Sequence, residues 1–228
     1  MPASSEELKF RVGAADVSAL LLVPASPRFL YVVAHGAGTG MRHAFFESLA
    51  QSLAERQGAT LRYQFPYMEA RARRPDPPAV ATATVRAAVE LAARVAPGLP
   101  LVAGGKSFGG RMTSTAQADQ PLSGVRGLAF LGFPLHPPGR PAIARGEHLS
   151  RVSVPLLFLQ GTRDEFAELD LLRSVLEPLG KRATLHLVDG GDHSFKVLKR
   201  SGRTDASVMA ELADAIAEWT ARVTSAGP

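Results

Sequence analysis

Leu101-Val102-Ala103-Gly104 runs directly into Gly105-Lys106-Ser107-Phe108-Gly109. The first four residues read as a buried strand and Phe108–Ala118 reads as a helix, so the five-residue stretch occupies a strand-to-helix turn. In that context G-x-S-x-G has a mechanical meaning. The turn is sharp and crowded, glycines two positions either side of the serine avoid the clash, and Ser107 protrudes at a helix N-terminus. Two plainer readings compete with this one. Gly105 and Gly109 would also permit simple close packing of helix on strand. Gly105-Lys106-Ser107 would also end a phosphate loop, but that pattern requires glycine at position 100, which is Pro100.

Working outward, short β-type runs alternate with amphipathic stretches. Lys9–Val12 and Ser18–Val23 read as an opening hairpin turned at Gly13, and Phe29–Ala34 as a buried strand ending at His35-Gly36-Ala37-Gly38. A helix over His43–Arg56 would carry Phe45, Leu49 and Leu53 on one stripe. Ala59–Tyr63 follows as a strand, then a loop rich in proline and arginine, Gln64–Pro78, then a helix over Ala79–Val95 with Val85, Val89, Ala92 and Val95 aligned. Val125–Leu131, Val154–Gln160 and Arg182–Val188 are three more strands, with a helix near Phe166–Leu176. Thr204–Val223 closes as a helix with Val208, Leu212, Ile216, Trp219 and Val223 inward. This alternation predicts an α/β fold, a mostly parallel sheet of about eight strands with helices on both faces, over one domain spanning residues 1–228. Ligands of such sheets collect at the carboxyl ends of the strands.

A serine hydroxyl is a weak nucleophile near neutral pH and needs a base, itself held by a carboxylate. Asp164, in Gly161-Thr162-Arg163-Asp164, lies 57 residues after Ser107, directly beyond a predicted strand. His193, in Gly190-Gly191-Asp192-His193, lies 29 residues further and again just beyond a strand. All three fall at the same edge of the sheet, in the chain order Ser, Asp, His. Capping of the following helix is the competing role for Asp164, and a surface loop that for His193. Glu165 and Asp170 are competing acids, with Asp170 inside the helix. An oxyanion needs two backbone N–H groups; Phe108, after the nucleophile, and Ala37, in the loop after Phe29–Ala34, are the expected donors. His35 reads as a buried, orienting histidine rather than a second base.

Composition excludes several classes. With 228 residues, 46% hydrophobic and 21% charged, the chain is long and apolar enough to form its own core. Cys 0 removes disulfides, thiolate zinc sites and cysteine nucleophiles. Met1–Phe10 carries two acidic residues and no apolar run, unlike a signal peptide, and the longest apolar stretches fall short of the ~18 residues of a membrane span. A cytoplasmic protein with no membrane contact is expected. The formal charge of +5 permits nucleic-acid contact, but basic residues interleaved with exposed aromatics are not evident, so nucleic acid is not an expected partner. The six histidines show no metal-ligating spacing, and no G-x-G-x-x-G opens a helix after the first strand, so neither a metal nor any other cofactor is expected.

The His35-Gly36 turn, the Gly105–Gly109 elbow, the Asp164 loop and His193, in that order, resemble the α/β-hydrolase superfamily over nearly the whole chain. Within it the sequence is similar to small, cap-less predicted hydrolases related to dienelactone hydrolase. Phe65-Pro66-Tyr67-Met68, Gly105–Arg111 and Gly132–Gly139 resemble a narrower branch, which includes the hydrolase-like domain of a nonspecific-lethal chromatin-complex subunit and testis-expressed hydrolase-like proteins. The resemblance implies an α/β-hydrolase fold and a Ser-His-Asp triad, and says little of substrate. Only 22 residues separate the strand ending at Leu131 from Val154, too few for an independent cap domain.

Two loops are expected to overhang Ser107. One brings Phe65, Tyr67 and Met68 as an apolar wall and Arg71 as a cation; the other brings Leu135 and His136. Lys106 stands where esterases commonly have His, Asp or an aromatic residue. It is read either as biasing the site toward anionic acyl groups or as a lysine reaching out to solvent. The expected function is hydrolysis of a small carboxylic ester, lactone or thioester through a serine ester. The alternatives are a non-catalytic scaffold of the same fold for a protein partner, and a peptidase.

Overall fold

The structure, a computed structural model, describes residues 5–225. Strands β1 (Glu6–Val12) and β2 (Ala15–Leu22) form the antiparallel opening hairpin. Then come β3 (Phe29–Ala34), α1 (Ala44–Ala54), β4 (Gly58–Tyr63), α2 (Pro66–Glu69), α3 (Pro78–Val95), β5 (Leu101–Lys106), α4 (Phe108–Asp119) and β6 (Val125–Leu131). A 3-10 segment, Ala144–Arg151, precedes β7 (Leu156–Gly161). After it come α5 (Leu169–Leu176), a second 3-10 segment (Glu177–Arg182), β8 (Ala183–Val188), a 3-10 turn (Lys199–Ser201) and α6 (Asp205–Ser225).

The strands make one eight-stranded sheet in the order β1-β2-β4-β3-β5-β6-β7-β8. Only the β1–β2 and β2–β4 pairs are antiparallel; from β4 to β8 every pairing is parallel. Side-chain alternation along each strand separates two apolar layers. Leu30, Val32, Ala34, Leu128, Phe130, Leu156 and Phe158 join the cluster that packs α3, α4 and α5. Their neighbours Tyr31, Val33, Ala129, Leu131, Leu157 and Leu159 face α1 and α6. The strands are therefore apolar on both faces, as a parallel sheet covered on both sides must be.

Most helices bury the stripes expected of them, with shifts at the edges. In α1 the inward residues are Phe46, Leu49 and Leu53, while Phe45 lies at the margin of the layer. In α6, Val208, Leu212, Ile216 and Trp219 are buried and Val223 is only partly covered. The helix expected near Phe166 starts at Leu169. Between β6 and β7 the chain forms the short 3-10 segment rather than a cap. Because β3 has β4 on one side and β5 on the other, the loops leaving β3 and β5 diverge and leave a crevice at their carboxyl ends.

Candidate active site

The crevice holds Ser107, the residue between β5 and α4. Its backbone sits at φ 50°, ψ −116°, a region that non-glycine residues rarely occupy. Crowding explains why glycines flank it. A Cβ on Gly105 would lie 2.2 Å from the carbonyl oxygen of Ala34, and one on Gly109 would lie 2.5 Å from that of His35. The glycines thus let β5 and α4 press against the end of β3, which fixes the serine at the crevice. Both the packing and the protrusion of Ser107 come from the same feature.

Ser107 and two further side chains form a relay. His193 Nε2 lies 2.9 Å from Ser107 Oγ, and His193 Nδ1 lies 2.8 Å from Asp164 Oδ2. A carboxylate only accepts, so Nδ1 carries the hydrogen and Nε2 is left to accept from the serine hydroxyl. The Asp164 side chain is completely buried, whereas 19% of the His193 side chain is exposed. Asp164 also accepts the Phe166 N–H at Oδ1 (2.8 Å), so one carboxylate both closes its own loop and holds the histidine. The competing acids are elsewhere: Glu165 is exposed, and Asp170, on α5, pairs with Arg173.

Two residues of this arrangement went unread in the sequence. Gln160, buried at the end of β7, donates from Nε2 to Asp164 Oδ2 at 2.5 Å and accepts the Phe133 N–H at 2.9 Å. A lone amide closing the apolar run Leu156–Leu159 was the available signal. Phe166 stacks on the His193 ring, 4.2 Å between centroids and 30° between planes, and limits how that ring can swing. Its spacing suggests a helical position, which conceals it.

The turn after β3 lies directly against the serine: a Cβ on Gly36 would be 3.8 Å from that of Ser107. Tyr67, on α2, accepts the Gly38 N–H at 3.0 Å, and Gln64 Oε1 accepts the Met41 N–H at 2.8 Å, so the turn is pinned from the neighbouring loop. The N–H groups of Ala37 and Phe108 have no acceptor among the described residues. His35 is buried, donates from Nδ1 to the Gly36 carbonyl and accepts the Phe65 N–H at Nε2. Burial pulls its pKa down to about 4, so it stays neutral.

The loop residues expected to line the site are placed unevenly. Phe65 is buried between His35, Tyr63 and Phe108, and Tyr67 is buried beside it. Met68 is half-buried, and Arg71 is exposed, with no ion pair among the described residues. Leu135 and His136 are sealed in their loop, whose N–H groups both bond to the Phe166 carbonyl. Both ring nitrogens of His136 are occupied, by the Pro137 carbonyl and the Glu168 N–H. A second serine–histidine contact, Ser114 Oγ to His148 Nε2 at 2.7 Å, has Arg111 and Arg151 beside it rather than a hydrogen-bonded carboxylate.

Lys106 turns away from this crevice. Along β5 it shares a face with Val102, so its side chain passes to the α1–α6 side of the sheet. There it is only 8% exposed; Nζ donates to the His193 carbonyl at 2.5 Å and lies 5.5 Å and 5.2 Å from the ring centroids of Phe45 and Phe195. Burial lowers its pKa to about 8, opposed by the charges of Asp164 and Asp192. A groove of about 1080 Å³ between α1 and α6 has Lys106 in its lining but neither Ser107 nor His193.

No cluster of three or more His, Asp or Glu side chains suited to a metal ion occurs among the described residues, and no helix among them is long and apolar enough to cross a membrane. A doubly covered, mostly parallel sheet with its serine on a strained strand-to-helix turn defines the α/β-hydrolase class of fold. Residues 27–221 match the alpha/beta hydrolase domain family, and the chain belongs to that family. It is similar to the dienelactone hydrolase of Anabaena variabilis, with 18% identity over 97% of this chain and 99% of that one and a TM-score of 0.77. A serine hydrolase without a lid from Xanthomonas campestris matches at 22% identity over 96% of both chains, with a TM-score of 0.74. Est1E from Butyrivibrio proteoclasticus matches at 15% identity over 96% of this chain and 99% of that one, with a TM-score of 0.72. At these identities the likeness to the solved structures is one of fold.

Proposed function

We propose that the chain is a serine hydrolase acting on a small carboxylic ester, lactone or thioester. The observation that carries this reading is the unbroken relay from Asp164 through His193 to Ser107, at 2.8 and 2.9 Å. Ser107 Oγ attacks the acyl carbon while His193 Nε2 takes its proton, and Asp164 holds the resulting imidazolium. The N–H groups of Ala37 and Phe108 receive the oxyanion, aided by the α4 N-terminus. Collapse of the tetrahedral adduct breaks the bond to the leaving alcohol or thiol, which collects the proton from Nε2. Water then adds to the serine ester, gives its proton to Nε2, and the free acid departs as Ser107 recovers its hydrogen.

Substrate size and charge follow from the surroundings. The absence of a cap between β6 and β7 suits small acyl groups with open access. Names of the fold neighbours, a dienelactone hydrolase among them, agree with esters or lactones. Anion preference has Arg71 as its remaining candidate at this edge, since Lys106 points to the other face of the sheet. The narrower kinship, to the branch containing the chromatin-complex domain, rests on the three loop motifs.

The test is labelling with a fluorophosphonate probe, mapped to the peptide, together with turnover of short-chain p-nitrophenyl esters. Wild type should be labelled at Ser107. Ser107→Ala should lose the label and at least about a thousandfold of turnover while keeping its melting temperature. A folded wild-type protein that neither labels nor turns over would favour the non-catalytic scaffold.

A further inference from the structure

We propose that the groove between α1 and α6 is a second binding site, for an amphipathic monocarboxylate of the fatty-acid type, with Lys106 as the receptor for its carboxylate. The inference is independent of hydrolysis at Ser107. Its basis is a buried ammonium in the groove wall with hydrogen-bond donors left unspent. Every acid in the lining already has a partner: Glu47 pairs with Arg62, Glu55 with Arg56 and Asp205 with Lys196, while Asp192 accepts the N–H groups of Ser194 and Lys196. Lys106 has no carboxylate contact among the described residues.

An ammonium has three donors. One is spent on the His193 carbonyl, and the rings of Phe45 and Phe195 offer the remaining charge only their faces. A buried ammonium with donors left over is costly; Asp164 and Asp192 act on it only through space, and a carboxylate entering the groove would accept those donors directly. The rest of the cavity suits a chain behind that carboxylate. Phe45 and Phe195 stand beside the ammonium, and Met209 and Ala206 on α6 extend the apolar wall. A volume of about 1080 Å³ is ample for a single extended acyl chain.

Dodecanoate, kept below its micellar concentration, is the probe, titrated calorimetrically into wild type and two variants at pH 7. Lys106→Met removes the receptor. Ser48→Trp, at an exposed position of α1 that lines the groove, fills the space without touching the buried layer. Saturable one-to-one binding to wild type is expected, at least about tenfold weaker in Lys106→Met, as for loss of a charged hydrogen bond, and similarly weakened in Ser48→Trp. Because Ser48→Trp leaves Lys106 in place, it decides the matter should Lys106→Met fail to fold. Dodecanol should bind wild type at least about tenfold more weakly than dodecanoate. No saturable binding to wild type, or binding that Ser48→Trp leaves unchanged, would overturn the proposal.

Discussion

Lys106 holds a positive charge in a place that favours its absence, and this has a sign that stability can report. Its pKa lies near 8 in the folded chain against an ordinary 10.5, with burial as the main cause. Between those two values the unfolded chain binds more protons than the folded one, so stability contributed at this residue rises with pH. The penalty is fully present below pH 8 and is relieved as pH climbs toward 10.5. Lys106→Met has no such penalty to relieve. The unfolding free energy of wild type minus that of Lys106→Met should therefore move in favour of wild type by roughly 2 kcal/mol between pH 7 and pH 10. Urea unfolding of both proteins at the two pH values measures this. Parallel pH dependences would show that the lysine titrates like an exposed one.

At the level of elements, the turn between β5 and α4 depends on backbones that come too close for any side chain. Gly105→Ala would place a methyl 2.2 Å from the Ala34 carbonyl oxygen at φ 148°. Neither strand can withdraw without breaking the β3–β5 ladder. A loss of roughly 3 kcal/mol or more is expected, seen as a melting temperature several degrees lower; an unchanged melt would mean the turn has slack. The turn, the alternation of strands and helices, and the placing of Ser107, Asp164 and His193 at one sheet edge are legible in the sequence, since each rests on local pattern and chain order. What escaped it depends on neighbours in space. Gly104-Gly105-Lys106 has the composition of a turn, yet pairing with β3 and β6 keeps it in the strand, and only that pairing sets the side on which Lys106 emerges. Pro66–Glu69 is too short to show periodicity inside a proline-rich loop. Phe166 reads as helical because nothing local indicates that its ring covers His193. Leu135 and His136 were legible as loop residues but not as residues folded inward by the Phe166 carbonyl.

Across the whole molecule, the sheet is held between two apolar layers, and the thinner one rests on α1, α6 and Phe195 from the segment between β8 and α6. Trp219, 2% exposed, is the largest side chain of that layer. Trp219→Ala should cost about 3–5 kcal/mol in chemical unfolding, because the space is too large for neighbours to refill. At low temperature the fraction that remains folded should still label at Ser107, since α6 contributes no member of the relay; loss of labelling in folded protein would tie the layer to the site more closely than the contacts indicate. The same layout orders events in time. Ser107 leaves the ribosome long before Asp164 and His193, which lie 57 and 86 positions later in the chain, and His193 sits on the segment that follows β8, the strand at the far edge of the sheet. Under the proposed function, the nascent serine would therefore lack its base until that part of the chain is in place. On the proposed mechanism, the first acylation of Ser107 would mark the moment at which that edge of the sheet is complete.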